Sequence, residues 1–163
     1  MRSKVSLEDR VDIMEAMARY AWALDTGDLD GYTDCFVEDG WIEHHPPGRC
    51  EGRAGIRELT DFLWYTHPDH YLGRQHRMSQ IIMTPENGDV RVKAFWSILQ
   101  HRVDTNQEIV FGLGTWDALW TLCPDGEWRL KTLFVDIWRD DHVPWVGDKR
   151  AWSKHARPVA AAS

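Results

Sequence analysis

The hydrophobic period of this chain changes once, near residue 70, and that change limits the fold more than any other feature. Before it, apolar residues recur at helical spacing; after it, they alternate or run with β-branched and aromatic residues. Ser6-Leu7-Glu8-Asp9 has the form of an N-cap followed by an acid, so a helix is expected over 7–25, ended by Gly27. A short helix over 28–35 follows, with Leu29, Tyr32 and Phe36 on one face. Asp39-Gly40 reads as a turn, 41–45 as a strand stopped by Pro46-Pro47-Gly48, and 52–65 as a third helix with Ile56, Leu59, Leu63 and Trp64 inward. Strands are then expected over 74–84, 89–103, 107–122 and 127–139. Asn87-Gly88 is the strongest hairpin signal, and Asp104-Thr105-Asn106 and Pro124-Asp125-Gly126 supply the other two turns. Helices first and an antiparallel meander second define an α+β domain. A strongly curved sheet with helices on its concave face leaves a pocket between the layers. One domain spans 1–163, with an extension from about residue 140 that includes a short helix near 148–155.

Composition removes several classes of function. Lys plus Arg is 19 and Asp plus Glu is 26, a net charge of −7, and Glu51 and Glu58 interrupt the one helically spaced basic set, Arg49, Arg53 and Arg57. That balance argues against a nucleic-acid or anionic-membrane surface. Cys35, Cys50 and Cys123 have unrelated spacing and no CxxC pattern, which argues against a disulfide scaffold or a zinc ribbon. No apolar run approaches the roughly 20 residues of a membrane helix, and Met1-Arg2-Ser3-Lys4-Val5 leads into an amphipathic helix with no leader-like apolar region. The expectation is a reduced, soluble, cytoplasmic protein. Ten tryptophans spread over the chain serve either as core and subunit interface or as walls of an aromatic cavity for a flat apolar ligand, Trp41 among them.

Asp25 and His76 are the main candidates for chemistry. Reading back from Asp25 in steps of three and four gives Ala21, Ala18, Met14, Val11 and Leu7, an apolar stripe that predicts a buried carboxylate at the end of the first helix. A buried carboxylate needs a cation or donor, and a histidine suits it. The acid fixes the imidazole tautomer and stabilises the imidazolium formed when the ring takes a proton. His101 shares a strand face with Leu99, Ser97 and Phe95, and Thr115 and Asp117 share a face in the same way. His101 is either a site residue or a solvated strand end. Asp117 is either a site residue or half of an ion pair with His101 or Arg139.

Other chemistries lack their motifs. His44 and His45 are adjacent in a strand and point to opposite faces, and Pro68 breaks helical spacing between His67 and His70, so no metal is expected. Phosphate-cradling glycine loops and the GxSxG elbow are absent. Cys50 has no activating neighbour in sequence and is expected to be inert.

The order of elements, with an acid closing the first helix and a histidine opening the meander, resembles the nuclear-transport-factor-2-like superfamily, in particular its SnoaL-like branch. The resemblance covers roughly residues 8–145, and within the branch the chain looks like scytalone dehydratase and hexachlorocyclohexane dehydrochlorinase. It implies that Asp25 orients a catalytic base, His76, and that His101 is a second pocket histidine. It implies that Thr115 and Asp117 line the pocket and that His44, or its neighbour Glu43, helps hold a catalytic water. Tyr20 falls on a cationic pocket residue of the dehydrochlorinase. The stretch Gly126-Glu127-Trp128-Arg129-Leu130 falls on the family's final strand opening. The chain departs from the dehydratase at Leu24, where that enzyme has tyrosine, and at Asp117, where it has asparagine. The dehydrochlorinase has no counterpart of His101.

The expected function is that of a cofactor-free lyase. His76, oriented by Asp25, would remove a proton from a small, apolar, aromatic or alicyclic substrate, and Tyr20, His44 or His101 would assist the leaving group, water first among the candidates. An isomerase or cyclase of the same fold is the nearest alternative. A non-catalytic binding or structural subunit is the alternative from another class. Trp116, Trp120 and Val110 are expected on the convex face, where they would drive homo-oligomerisation; the resemblance favours a trimer over a dimer.

Overall fold

The computed structural model describes residues 4–45, 48–66 and 72–138. Helix α1, Leu7–Thr26, starts at Ser6, whose hydroxyl accepts the backbone N–H of Asp9 at 3.0 Å. It ends at Gly27, which takes the left-handed conformation at φ 80°. Helix α2 is Leu29–Asp34, capped by Asp28 onto the N–H of Gly31. The chain continues through β1 (Phe36–His45), β2 (Gly48–Glu51), α3 (Gly52–Thr66), β3 (Gln75–Glu86), β4 (Asp89–Arg102), β5 (Gln107–Leu122) and β6 (Trp128–Ile137). The expected helix over 148–155, together with Arg139, lies outside the described residues.

The six strands form one sheet in the order β2-β1-β6-β5-β4-β3. Every neighbouring pair is antiparallel except β1 with β6. The parallel pair arises because the chain leaves the sheet after β2 and returns at its far edge as β3. Register slips between Phe36 and Trp41, Ser79 and Ile82, Ile98 and Leu99, and Leu119 and Trp120. Each bulge adds local twist and bends the strand, which is how long strands wrap around a helix layer. Asn87 and Gly88 both have positive φ, 53° and 91°, as the two-residue β3–β4 turn requires.

Two local readings of the sequence change. The expected turn at Asp39-Gly40 lies inside β1, where the bulge absorbs it, and the chain past Pro46-Pro47 pairs back on β1 as β2. The apolar stripe Leu7, Val11 and Met14 faces solvent, at 79, 53 and 54 % exposure. The buried face of α1 is instead Ile13, Ala16, Met17, Tyr20 and Ala23. Tyr20 decides the rotation of the helix: its ring meets Tyr32, Phe36 and Trp116 at centroid separations of 5.0, 6.1 and 5.3 Å. These aromatic contacts hold the Tyr20 face of the helix against the sheet.

The inward faces of the strands are even-numbered over most of β4 and β5. Val90, Val92, Ala94, Trp96 and Ile98 are buried on β4, and Trp116, Ala118 and Trp120 on β5. Trp116 and Trp120 therefore pack under the helices and do not stand on the convex face. Val110 is exposed, as expected, and is joined by Phe95, Leu113 and Ile82. Gly114 lets β5 and β6 approach: a Cβ there would lie 1.8 Å from the carbonyl oxygen of Asp136 and 3.1 Å from the indole of Trp96. No helix among the described residues is long and apolar enough to cross a membrane.

Candidate active site

The last turn of α1 overhangs the start of β3. Gly27 stops the helix just beyond Asp25, which leaves the carboxylate in its last turn. A helix C-terminus repels an acid, and here two N–H donors of one residue offset that. His76, the second residue of β3, donates its backbone N–H to Asp25 Oδ2 at 2.6 Å. Its ring Nδ1 lies 2.5 Å from Asp25 Oδ1. A carboxylate accepts only, so Nδ1 carries a proton, and in the neutral ring the lone pair is on Nε2. The two side chains are 16 and 15 % exposed, which leaves them largely desolvated and still reachable. The register sets His76 opposite Ile98, so its ring lies on the concave face with Ile98 and Trp96.

His44 comes to the same face from β1. It lies level with Val135 of β6, which is in turn level with Trp116 of β5. Burial, reinforced by the charge of His76, pushes its pKa down to about 4. His44 is therefore neutral at ordinary pH, a hydrogen-bonding group and not a cation. Tyr20 forms part of the floor. Its hydroxyl pairs with that of Tyr32 at 3.3 Å, and burial, then Tyr32, holds its pKa well above the usual phenol range, with a small push from Asp25. Tyr20 is a neutral phenol, so it does not reproduce the positive charge that the resemblance placed there.

Four expected site residues lie elsewhere. Thr115, Asp117 and His101 stand on the outer face of the sheet, because the indoles of Trp116 and Trp120 and the Val90–Ile98 alternation take the inner one. Asp117 is ion-paired with Arg91 at 2.7 Å and Lys93 at 3.3 Å. His101 faces Glu108 at 3.1 Å. Trp41 has the parity opposite to buried Ile42 and stacks under the Arg49 guanidinium at 4.0 Å.

Three inward residues went unread. Trp96 lies over the gap left by Gly112 and Gly114 and donates its indole N–H to the Thr115 carbonyl at 3.1 Å. Arg74 and Gln100 are 7 and 3 % exposed. The signal that would have found them is the five-residue alternation Val90–Val92–Ala94–Trp96–Ile98, which extends to Gln100 and is longer than the Phe95–Leu99 alternation that favoured His101. Among the described residues, no three His, Cys, Asp or Glu side chains gather as metal ligands would.

A family model described as a SnoaL-like domain matches residues 5–146. No curated protein matches significantly. Solved structures share the fold at low identity. An NTF2-like protein with a cystatin-like fold from Novosphingobium aromaticivorans superposes with a TM-score of 0.69 at 24 % identity, covering 80 % of this chain and 82 % of its own. A cystatin-like protein of unknown function from Nostoc punctiforme gives 0.71 at 18 % identity, covering 85 and 97 %. ActVI-ORFA from Streptomyces coelicolor gives 0.70 at 20 % identity, covering 82 and 98 %.

Proposed function

The chain belongs to the SnoaL-like domain family, and from that premise we propose that it is a cofactor-independent lyase in which His76, oriented by Asp25, performs general-base elimination on a small, largely apolar, aromatic or alicyclic substrate. The observation that carries this reading is the two-point clamp. Asp25 accepts both the backbone N–H and the ring N–H of His76, so ring position and tautomer are set together.

In the proposed reaction, His76 Nε2 removes a proton from the carbon next to the one that bears the leaving group. The electron pair of that C–H bond becomes the new C=C bond, and the C–O bond to a departing hydroxyl breaks. The imidazolium, stabilised by Asp25, returns its proton to the hydroxyl, and water leaves. His44, neutral and on the same concave face, supplies a hydrogen bond to the departing oxygen. A positioned base contributes typically about 10²–10⁴-fold, and alignment of the substrate must supply the rest. The indoles of Trp96 and Trp116 and the side chain of Ile98 provide an apolar wall that keeps solvent from the intermediate.

An isomerase or cyclase would begin with the same proton abstraction and differ only in where the electron pair goes. A non-catalytic subunit would have no use for a desolvated acid–histidine pair on the concave face. The experiment that tests the reading is a screen of the protein against aromatic and alicyclic alcohols, with products analysed by mass spectrometry. Loss of water is the expected outcome. A product of unchanged mass would assign isomerisation, and no conversion of any compound would favour a binding role.

A further inference from the structure

A groove of about 570 Å³ lies between helices α1 and α2 and the β5–β6 hairpin. That volume is within the roughly 300–1,000 Å³ of small-molecule pockets. Its apolar wall is Ala16, Ala18, Trp22 and Ala23 of α1, with Trp120 of β5 and Trp128 of β6. None of Tyr20, Asp25, His44 and His76 lines it. A row of rings, Tyr20, Trp116 and Trp120, with successive centroids 5.3 and 6.3 Å apart, runs from the floor of the active site to the floor of the groove.

Three observations define what the groove fits. Its tryptophans are graded by depth: Trp22 is 74 % exposed, Trp128 6 % and Trp120 0 %. A flat ring that enters with one edge against Trp120 and Trp128 would cover the Trp22 indole at the rim, and indole faces favour an aromatic partner. The charged side chains around the groove are already matched. Arg19 pairs with Glu127 at 2.9 Å, Arg129 with Asp125 at 2.8 Å and Asp34 with Arg53 at 3.0 Å, while Asp28 accepts the backbone N–H of Gly31 at 2.9 Å. An ionic ligand would have to break one of these contacts. Burial pushes the Cys35 thiol up to about 11, so this lining residue is neutral as well. Finally, the indole N–H of Trp120 has no hydrogen-bond partner, whereas Trp96 on the neighbouring strand donates its own to the Thr115 carbonyl. A buried donor ordinarily finds an acceptor.

We propose that this groove is a second small-molecule site, separate from the Asp25–His76 pair, and that it takes a flat, uncharged aromatic molecule bearing an oxygen that accepts the Trp120 N–H. The proposal is independent of the reading of His76 as a base.

The test titrates chromone, a flat uncharged ketone, into the full-length ¹⁵N-labelled protein and follows the assigned indole N–H signals by NMR. Saturable binding is expected, with the Trp120 signal moving downfield as its hydrogen bond forms and those of Trp22 and Trp128 moving with it. Chromone-2-carboxylate should bind at least about fivefold more weakly, because no unmatched cation meets its charge. Trp22→Ala, at an exposed position, should weaken chromone by about fivefold or more, as loss of a stacking indole does. Ala18→Phe, which sets a ring into the groove from an exposed helix position, should abolish the response. His76→Ala should leave the Trp120 response unchanged, which separates this site from the proposed base. A Trp120 signal that does not move, equal affinity for the two probes, or a response that survives both Trp22→Ala and Ala18→Phe would each overturn the proposal. A Trp120 signal that moves with protein concentration and not with chromone would assign the groove to a second copy of the chain and overturn it as well.

Discussion

Asp25 holds His76 twice, through the backbone N–H at 2.6 Å and the ring Nδ1 at 2.5 Å. An isosteric amide has one oxygen to accept with and an NH₂ that meets the second donor head-on. Asp25→Asn is therefore expected to cost about 1–2 kcal/mol of stability, as a buried donor loses its acceptor. Turnover should fall by about 10²-fold or more, as the imidazolium loses its counter-charge. Urea unfolding and steady-state rates on the same preparation check both. A stability loss without a rate loss would make the pair structural only.

His44 should make stability depend on pH. Its pKa is pushed from 6.5 to about 4 in the fold, so the unfolded chain binds the extra proton more readily. The contribution is complete above pH 6.5 and is lost as the pH falls toward 4. It is at most about 3 kcal/mol by linkage, and less to the degree that the ring keeps contact with solvent. Urea midpoints at pH 7 and pH 4.5 should converge in His44→Gln relative to wild type. An equal pH dependence in both proteins would contradict the assignment.

Gly114→Ala is expected to be strongly destabilising, because the new Cβ meets the carbonyl of Asp136 at 1.8 Å and β5 must part from β6. A loss of about 2 kcal/mol or more would follow from strain of this kind. The thermal midpoint measures it, and an unchanged midpoint would mean that the strands can separate cheaply.

The three helices and the hairpins were legible because each rests on a local signal, whereas the Asp25–His76 pair came through the family resemblance, since the stripe that pointed Asp25 inward faces solvent. Ser6 and Gly27 mark the ends of α1, and Asn87-Gly88 fixes a turn. The inward face of each element was not legible in the same way. Two apolar stripes run along α1, and the choice of Tyr20 over Met14 depends on rings contributed by α2, β1 and β5. On β5 both parities carry large apolar residues, and the wrong one sent Thr115 and Asp117 inward. A one-residue error of parity moves a whole strand face, which is why His101, Thr115 and Asp117 were displaced together.

The corrected parity also changes the surface expected to drive assembly. Phe95, Leu113, Val110 and Ile82 are 38, 41, 60 and 65 % exposed. We propose that this outer face mediates homo-oligomerisation. Light scattering should give a multiple of the 19.0 kDa chain mass, and Leu113→Asp should shift it toward the monomer. A monomer at micromolar concentration would contradict this.

The central claim is that His76 is the base. Its most direct test is the turnover of His76→Ala, beside wild type, on the substrate that the screen identifies. Turnover is expected to fall by at least about 10³-fold, within the range for loss of a positioned base, while the thermal midpoint stays within a few degrees because His76 lies at the start of an edge strand. Near-wild-type turnover by a folded His76→Ala protein would contradict the account and reduce the Asp25–His76 pair to a structural contact.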